Sequence, residues 1–231
     1  MFPKDRTRAL FNQAIEKHLK SLQSKEGVRI LEVGGIDRPF LQKSSAYEYC
    51  GLDIEVREKC YEVYDSFIVK SIEEELDGEF DLILSRMVLE HVPDNHKAWD
   101  SIYNSLKPGG YSVHVFPSGL HPFSLATRIV GSRLQRNLIP MLRPDARHTG
   151  YPAYYNLCSP KALQHHLPKK GFCEVSVKTS YAASDYFAFF VPLFVMIGLF
   201  NTAMEKFKIQ TFCSNVFVVA RKPQKLTAGN I

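Results

Sequence analysis

Apolar residues recur along this chain with two different periods. Leu10, Phe11, Ala14, Ile15, Leu19 and Leu22 fall three or four apart, the spacing that lines one face of an α-helix. After Gly27 the pattern shortens. Residues 28–33 (Val-Arg-Ile-Leu-Glu-Val) form a β-rich run that ends in Gly34-Gly35, and a second run spans 47–54 and closes near Asp53. Residues 66–69 give a weaker third, and 80–85 (Phe-Asp-Leu-Ile-Leu-Ser) read as a buried strand. A helical stretch through Trp99, Ile102 and Leu106 follows, stopped by Lys107-Pro108-Gly109-Gly110, before a fifth strand over 111–116. Ser159 and Pro160 make an N-cap and a first helical position for a helix over 159–167. Lys169-Lys170-Gly171 then turns the chain into strands at 172–177 and, last, 216–220. Strands alternating with helices predict an α/β fold: a Rossmann-like, mainly parallel sheet with helices on both faces.

Composition narrows this to one domain over 1–231. The 231 residues are 45% hydrophobic and 23% charged, enough for a single large core and ordinary for a globular protein. A net charge of +5 suits an anionic ligand or a membrane surface but is too small to mark a nucleic-acid binder. Five cysteines, without a C-x-x-C pair or zinc-ligand spacing, predict free thiols in a reducing compartment. The first twenty residues lack the apolar core of a signal peptide, which makes a cytoplasmic protein the expectation.

Three features carry candidate chemistry. Glu32-Val33-Gly34-Gly35 ends the first strand, where glycines let backbone approach a ligand closely. Asp53 closes the second strand about twenty residues on, where a carboxylate accepts hydrogen bonds from ribose hydroxyls. Ser85 and the loop Met87-Val88-Leu89-Glu90-His91-Val92-Pro93-Asp94 follow the fourth strand. Ligands of open α/β sheets bind beyond the carboxyl ends of the strands, so all three belong to one edge. Each also has a plainer reading: Gly34-Gly35 as a simple turn, Asp81 as an anchor for its strand, Pro108-Gly109-Gly110 as a helix stop.

In their order, I-L-E-V-G-G, Y-x-G-L-D, F-D-L-I-L-S, V-L-E-H-V-P-D and L-K-P-G-G resemble the class I S-adenosylmethionine-dependent methyltransferase superfamily, over residues 28–116. The E-H-V and K-P-G-G signatures are closest to its ubiquinone-type and small-molecule branch. The resemblance implies a seven-stranded sheet with a terminal antiparallel hairpin. It implies S-adenosylmethionine as cofactor, with Glu32, Gly34 and Gly35 around the methionine part, Asp53 at the ribose and Ser85 beside it. One position departs from the pattern: Ile36 stands where the family's loop carries its second glycine. Its side chain either crowds the cofactor or is carried aside by flexing at Gly35. A nicotinamide dehydrogenase fits less well, because the loop lacks the third glycine of G-x-G-x-x-G.

An oxygen acceptor would profit from a general base, and His91 and His121 lie beyond strands four and five on the ligand edge. His148 and the cluster Tyr154, Tyr155 and Asn156 are further candidates for an acceptor pocket, against the reading of ordinary packing. Residues 117–157, rich in proline and without a clean period, form an insertion or acceptor region. It carries Arg128, Arg133, Arg136, Arg143 and Arg147 against the single acid Asp145, either a phosphate- or carboxylate-binding cluster or a solvated face. Stacking aromatics are sparse among them, which argues against nucleic acid. Residues 186–204 are uncharged, within a connection over 181–212. If the strands on either side pair in one sheet, a single membrane crossing is excluded, and a lid or a peripheral membrane contact remains. These features together bear a fainter resemblance to methyltransferases of bacterial surface-polysaccharide pathways, implying a small-molecule, glycan or lipid-linked sugar acceptor. The alternatives are a non-catalytic cofactor-binding or interaction module on the same fold, and an RNA methyltransferase.

Overall fold

A computed structural model describes residues 6–36, 38–122, 124, 125, 128, 151–182 and 191–224. Within them the chain runs α1 (Thr7–Leu22), β1 (Arg29–Val33), β2 (Glu48–Asp53), α2 (Cys60–Val63), β3 (Ser66–Val69), β4 (Phe80–Arg86), α3 (Asn95–Ser105) and β5 (Leu106–Pro117). It continues through α4 (Pro160–Lys170), β6 (Cys173–Ser180), α5 (Val191–Lys206) and β7 (Asn215–Arg221), with 3-10 turns at Leu89–His91 and Gln210–Phe212. The strands form one seven-stranded sheet in the order β3-β2-β1-β4-β5-β7-β6. β1 pairs parallel with β2 and with β4, and the parallel pairing extends to β3 and β5. Only β7 runs against its neighbours, antiparallel to β5 and β6. This is the Rossmann-like sheet that the strand pattern predicts, with the terminal hairpin that the resemblance implies.

The central strands read as unbroken apolar runs because both faces of the sheet are covered. Side chains alternate across it: Ile30, Leu82 and Leu84 pack with Phe11 and Ile15 of α1. Leu31, Val33 and Ile83 pack on the opposite face with Trp99 and Ile102 of α3 and Leu163 and Leu167 of α4. Asp81 takes the anchoring role, accepting from Arg29 N at 3.0 Å and Lys107 Nζ at 2.7 Å. Helix α4 is capped by Ser159 Oγ, which accepts from Ala162 N, and ends at Gly171 with φ 107°. All five cysteines are free.

The main departure concerns Lys107-Pro108-Gly109-Gly110. These residues do not form a turn ahead of a short strand; they lie within β5, which begins at Leu106, where α3 was expected to reach. A register shift opposite Phe80–Leu82 and a positive φ of 81° at Gly109 absorb the irregularity. Most of the insertion, including Arg133, Arg136, Arg143, Arg147 and His148, lies outside the described residues, as do residues 183–190 of the apolar connection.

Candidate functional site

The strand order reverses between β1 and β4, so their carboxyl ends frame the crevice where ligands of such sheets bind. Val33 pairs with both Leu52 and Ser85, which brings Gly34, Asp53 and the loop after β4 to one edge. Gly34 has φ 82° and donates its amide to Leu52 O at 2.8 Å. A Cβ at Gly34 would overlap Val88 Cγ2 of the post-β4 loop. One at Gly35 would overlap the Tyr64 hydroxyl and come within 2.7 Å of Glu32 Oε1. Both positions therefore require glycine.

Glu32 lies beneath this loop, buried. Its Oε2 accepts from Phe40 N at 2.8 Å and from the Tyr49 hydroxyl. Burial, partly offset by these bonds, raises its carboxyl above the usual range. Its contacts are thus to the loop's own frame, and it fixes the path of the glycines from below. Ile36 adopts φ 45°, and its side chain packs against the apolar cluster containing Phe11, Tyr49 and Tyr64.

Asp53 stands half-buried at the end of β2, its Oδ1 accepting from Glu55 N at 3.0 Å; desolvation raises its carboxyl above the ordinary value. Over this corner the chain returns as residues 151–158. Tyr154 N and Tyr155 N donate to Glu90 O at 2.8 and 3.1 Å, and Asn95 Nδ2 donates to Asn156 O. This strap places Tyr151 beside the Asp53 and Glu55 carboxylates; burial and its bond to Glu55 push its hydroxyl up to about 12. The Tyr151 ring lies 6.2 Å from that of His91. Nothing in the local sequence singles out Tyr151, because its neighbours are set by contacts some sixty residues away in sequence.

The two candidate histidines occupy different settings. His91 is part-exposed at the edge, its Nδ1 donating to Pro152 O at 3.1 Å. A carbonyl only accepts, so Nδ1 carries the proton of the neutral ring, and burial lowers its pKa. The Glu90 carboxyl lies behind it, fully buried, with Oε2 lacking a partner among the described residues and Oε1 3.7 Å from His91 Nε2. His121 is buried between the post-β5 loop and α5. Asn201 Nδ2 donates to Ala182 O, which turns Oδ1 toward His121 Nε2 at 3.0 Å. Ser85 is fully buried, with Oγ 2.7 Å from His114 Nδ1 inside the sheet. The edge therefore unites Gly34, Gly35, Asp53 and His91, whereas Ser85 and His121 direct their polar atoms inward. A cavity of about 220 Å³ lies beyond β5, lined in part by Gly119, Arg128, Tyr155 and Cys158.

Comparison with known proteins agrees with this fold. A family model described as "Methyltransferase domain" matches residues 5–177. A 58-residue stretch is 40% identical to phosphoethanolamine N-methyltransferase 2 of Caenorhabditis elegans, covering 23% of this chain and 13% of that protein. The fold is similar to that of Haemonchus contortus phosphoethanolamine N-methyltransferase 2, solved with phosphomonomethylethanolamine and S-adenosylhomocysteine. The TM-score is 0.57 at 18% identity, over 92% of this chain and 53% of that one. It is also similar to a SAM dependent methyltransferase from Archaeoglobus fulgidus, with TM-score 0.54 at 18% identity, over 93% and 94% of the two chains. The chain thus spans about half the length of the Haemonchus enzyme. These structural likenesses are likenesses of fold, but the family model covers most of the sequence, and on that ground the chain belongs to the methyltransferase-domain family.

Proposed function

We propose that this chain is an S-adenosylmethionine-dependent methyltransferase that modifies an oxygen of a small-molecule, glycan or lipid-linked sugar acceptor. The observation that carries this reading is the pair of glycines at the switch point, packed too closely on Val88, Tyr64 and Glu32 to admit a Cβ, set beside the Asp53 carboxylate. When bound there, adenosylmethionine supplies a methyl group on a sulfonium, a good leaving group. Gly34 and Gly35 admit its methionine part close to the backbone, and Asp53 accepts hydrogen bonds from the ribose hydroxyls. Holding the acceptor in line with the methyl group is the larger part of the chain's task, since positioning supplies about 7–11 kcal/mol.

Of the two histidines, His91 fits the role of general base. Its Nδ1 proton is held by Pro152 O and burial keeps the ring neutral, so Nε2 carries the lone pair that takes the acceptor's proton. His121, tied to Asn201, holds the post-β5 loop against α5 and acts on stability. Tyr151 closes the corner between Asp53 and His91.

Calorimetric titration with adenosylmethionine tests the cofactor assignment. Asp53→Ala is expected to weaken binding about 10- to 100-fold, the loss of hydrogen bonds to a charged group. Unchanged affinity would remove the ribose role. His91→Gln is expected to lower turnover of an oxygen acceptor by about a hundredfold or more, with adenosylmethionine affinity kept within about twofold. An equal loss in cofactor binding would make His91 structural. Labelled methyl transfer to purified RNA, with none to glycan precursors, would overturn the acceptor class.

A further inference from the structure

Helix α5 turns apolar side chains to solvent. Met196 and Leu199 are each 60% exposed, with Val191 and Val195 beside them, while the inward side holds Ile197, Gly198 and Asn201. Val191, Val195, Leu199 and Lys206 are spaced four, four and seven apart and so share one helix face. The surface continues past the helix end into Phe207, 67% exposed, and Ile209. A contiguous apolar patch of this kind marks an interaction site.

Charge identifies the occupant. Lys206 and Lys208 alternate with Phe207 and Ile209, and neither lysine has a carboxylate partner among the described residues. Glu205, the last acid in the sequence, lies 3.9 Å from Arg6. The bias extends beyond the patch: residues 101–231 hold fifteen Lys and Arg against four Asp and Glu, a net +11, while residues 1–100 hold fourteen against twenty, a net −6. An anionic lipid surface satisfies both the apolar side chains and the cations. No described helix is long and apolar enough to cross a membrane.

We propose that α5 and the turn after it dock the protein flat on an anionic membrane, with Val195, Met196, Leu199 and Phe207 entering the headgroup boundary and Lys206 and Lys208 at phosphate level. The Asn201–His121 bond fixes this face to the loop beyond β5, on the edge where an acceptor is expected. The inference does not depend on the chemistry of that edge.

Co-sedimentation of the full chain with vesicles of phosphatidylcholine alone, and of phosphatidylcholine mixed with phosphatidylglycerol, tests it. Binding is expected to the mixed vesicles, weak binding to the neutral ones, and release at high salt. Met196→Glu with Leu199→Glu is expected to reduce binding at least about tenfold. Lys206→Glu with Lys208→Glu is expected to remove the anionic preference, a loss of about tenfold or more. All four positions are exposed or solvent-facing, so both double variants should melt with the wild type. Wild-type protein left in the supernatant with both vesicle types overturns the proposal, as does either double variant binding like wild type. So does a dimer in sedimentation velocity that Leu199→Glu dissociates, with no vesicle binding.

Discussion

Replacing Gly34 by alanine is expected to abolish measurable adenosylmethionine binding and to lower the melting temperature by about 5–15 °C. Two independent terms act at this residue. Its φ of 82° is left-handed, which costs an L-residue about 1–2 kcal/mol. The new methyl group would also overlap Val88 Cγ2, and overpacking of that kind costs about 1–3 kcal/mol. Val88 has little room to retreat, because it packs against the core cluster containing Leu89 and Trp99. Its displacement would drag the loop that carries Glu90 and His91, so both walls of the crevice would shift together. Gly35→Ala separates the terms: it adds no positive-φ strain but drives a methyl group into the Tyr64 hydroxyl and Glu32. It should impair binding with a smaller thermal shift. Calorimetric titration and circular-dichroism melting of the two variants check this, and a Gly34→Ala protein that binds and melts like wild type would mean that the cradle is not at Gly34.

What the sequence disclosed about the site was local to strand ends. Gly34 and Asp53 are positioned by β1 and β2 themselves, and a strand buried on both faces is visible as an apolar run, so the edge they share follows from the fold class. What stayed hidden depends on partners far along the chain. The Lys107-Pro108-Gly109-Gly110 segment looks like a turn, yet Gly109 N donates to Lys222 O at 3.0 Å, and that long-range pairing draws the segment into β5. His121 looks like an edge residue until Asn201, eighty positions later, claims its Nε2. Tyr151 is unremarkable in sequence, and the strap that delivers it is held by Glu90 O and Asn95. At Ile36 the packing partner is equally non-local: the side chain rests on the apolar cluster that Phe11 and Ile15 of α1 help to build.

Glu90→Gln is expected to stabilise the protein, by an amount that grows with pH. The Glu90 carboxyl is fully buried and Oε2 has no hydrogen-bond partner among the described residues. Desolvation holds its pKa at about 8, against 4.5 when exposed. His91 Nε2, 3.7 Å away, is beyond hydrogen-bond reach, and burial lowers that ring's pKa, which disfavours the imidazolium that would offset the desolvation. Below pH 4.5 the carboxyl is protonated in both folded and unfolded chains, and its contribution to stability is fully present. As pH rises, the unfolded chain releases the proton while the folded chain retains it, and the contribution is lost progressively until the folded group itself ionises near pH 8. At about 1.4 kcal/mol per pH unit, the loss by neutral pH is on the order of 3 kcal/mol. Glutamine keeps the volume and a donor but has no proton to lose. Its melting temperature should match wild type near pH 4.5 and exceed it by about 5–15 °C near pH 7. Melting curves of both proteins across this range decide the matter: a gap that does not widen with pH would show that Glu90 does not titrate there, and that the loop after β4 holds an ionised carboxylate at the mouth of the site.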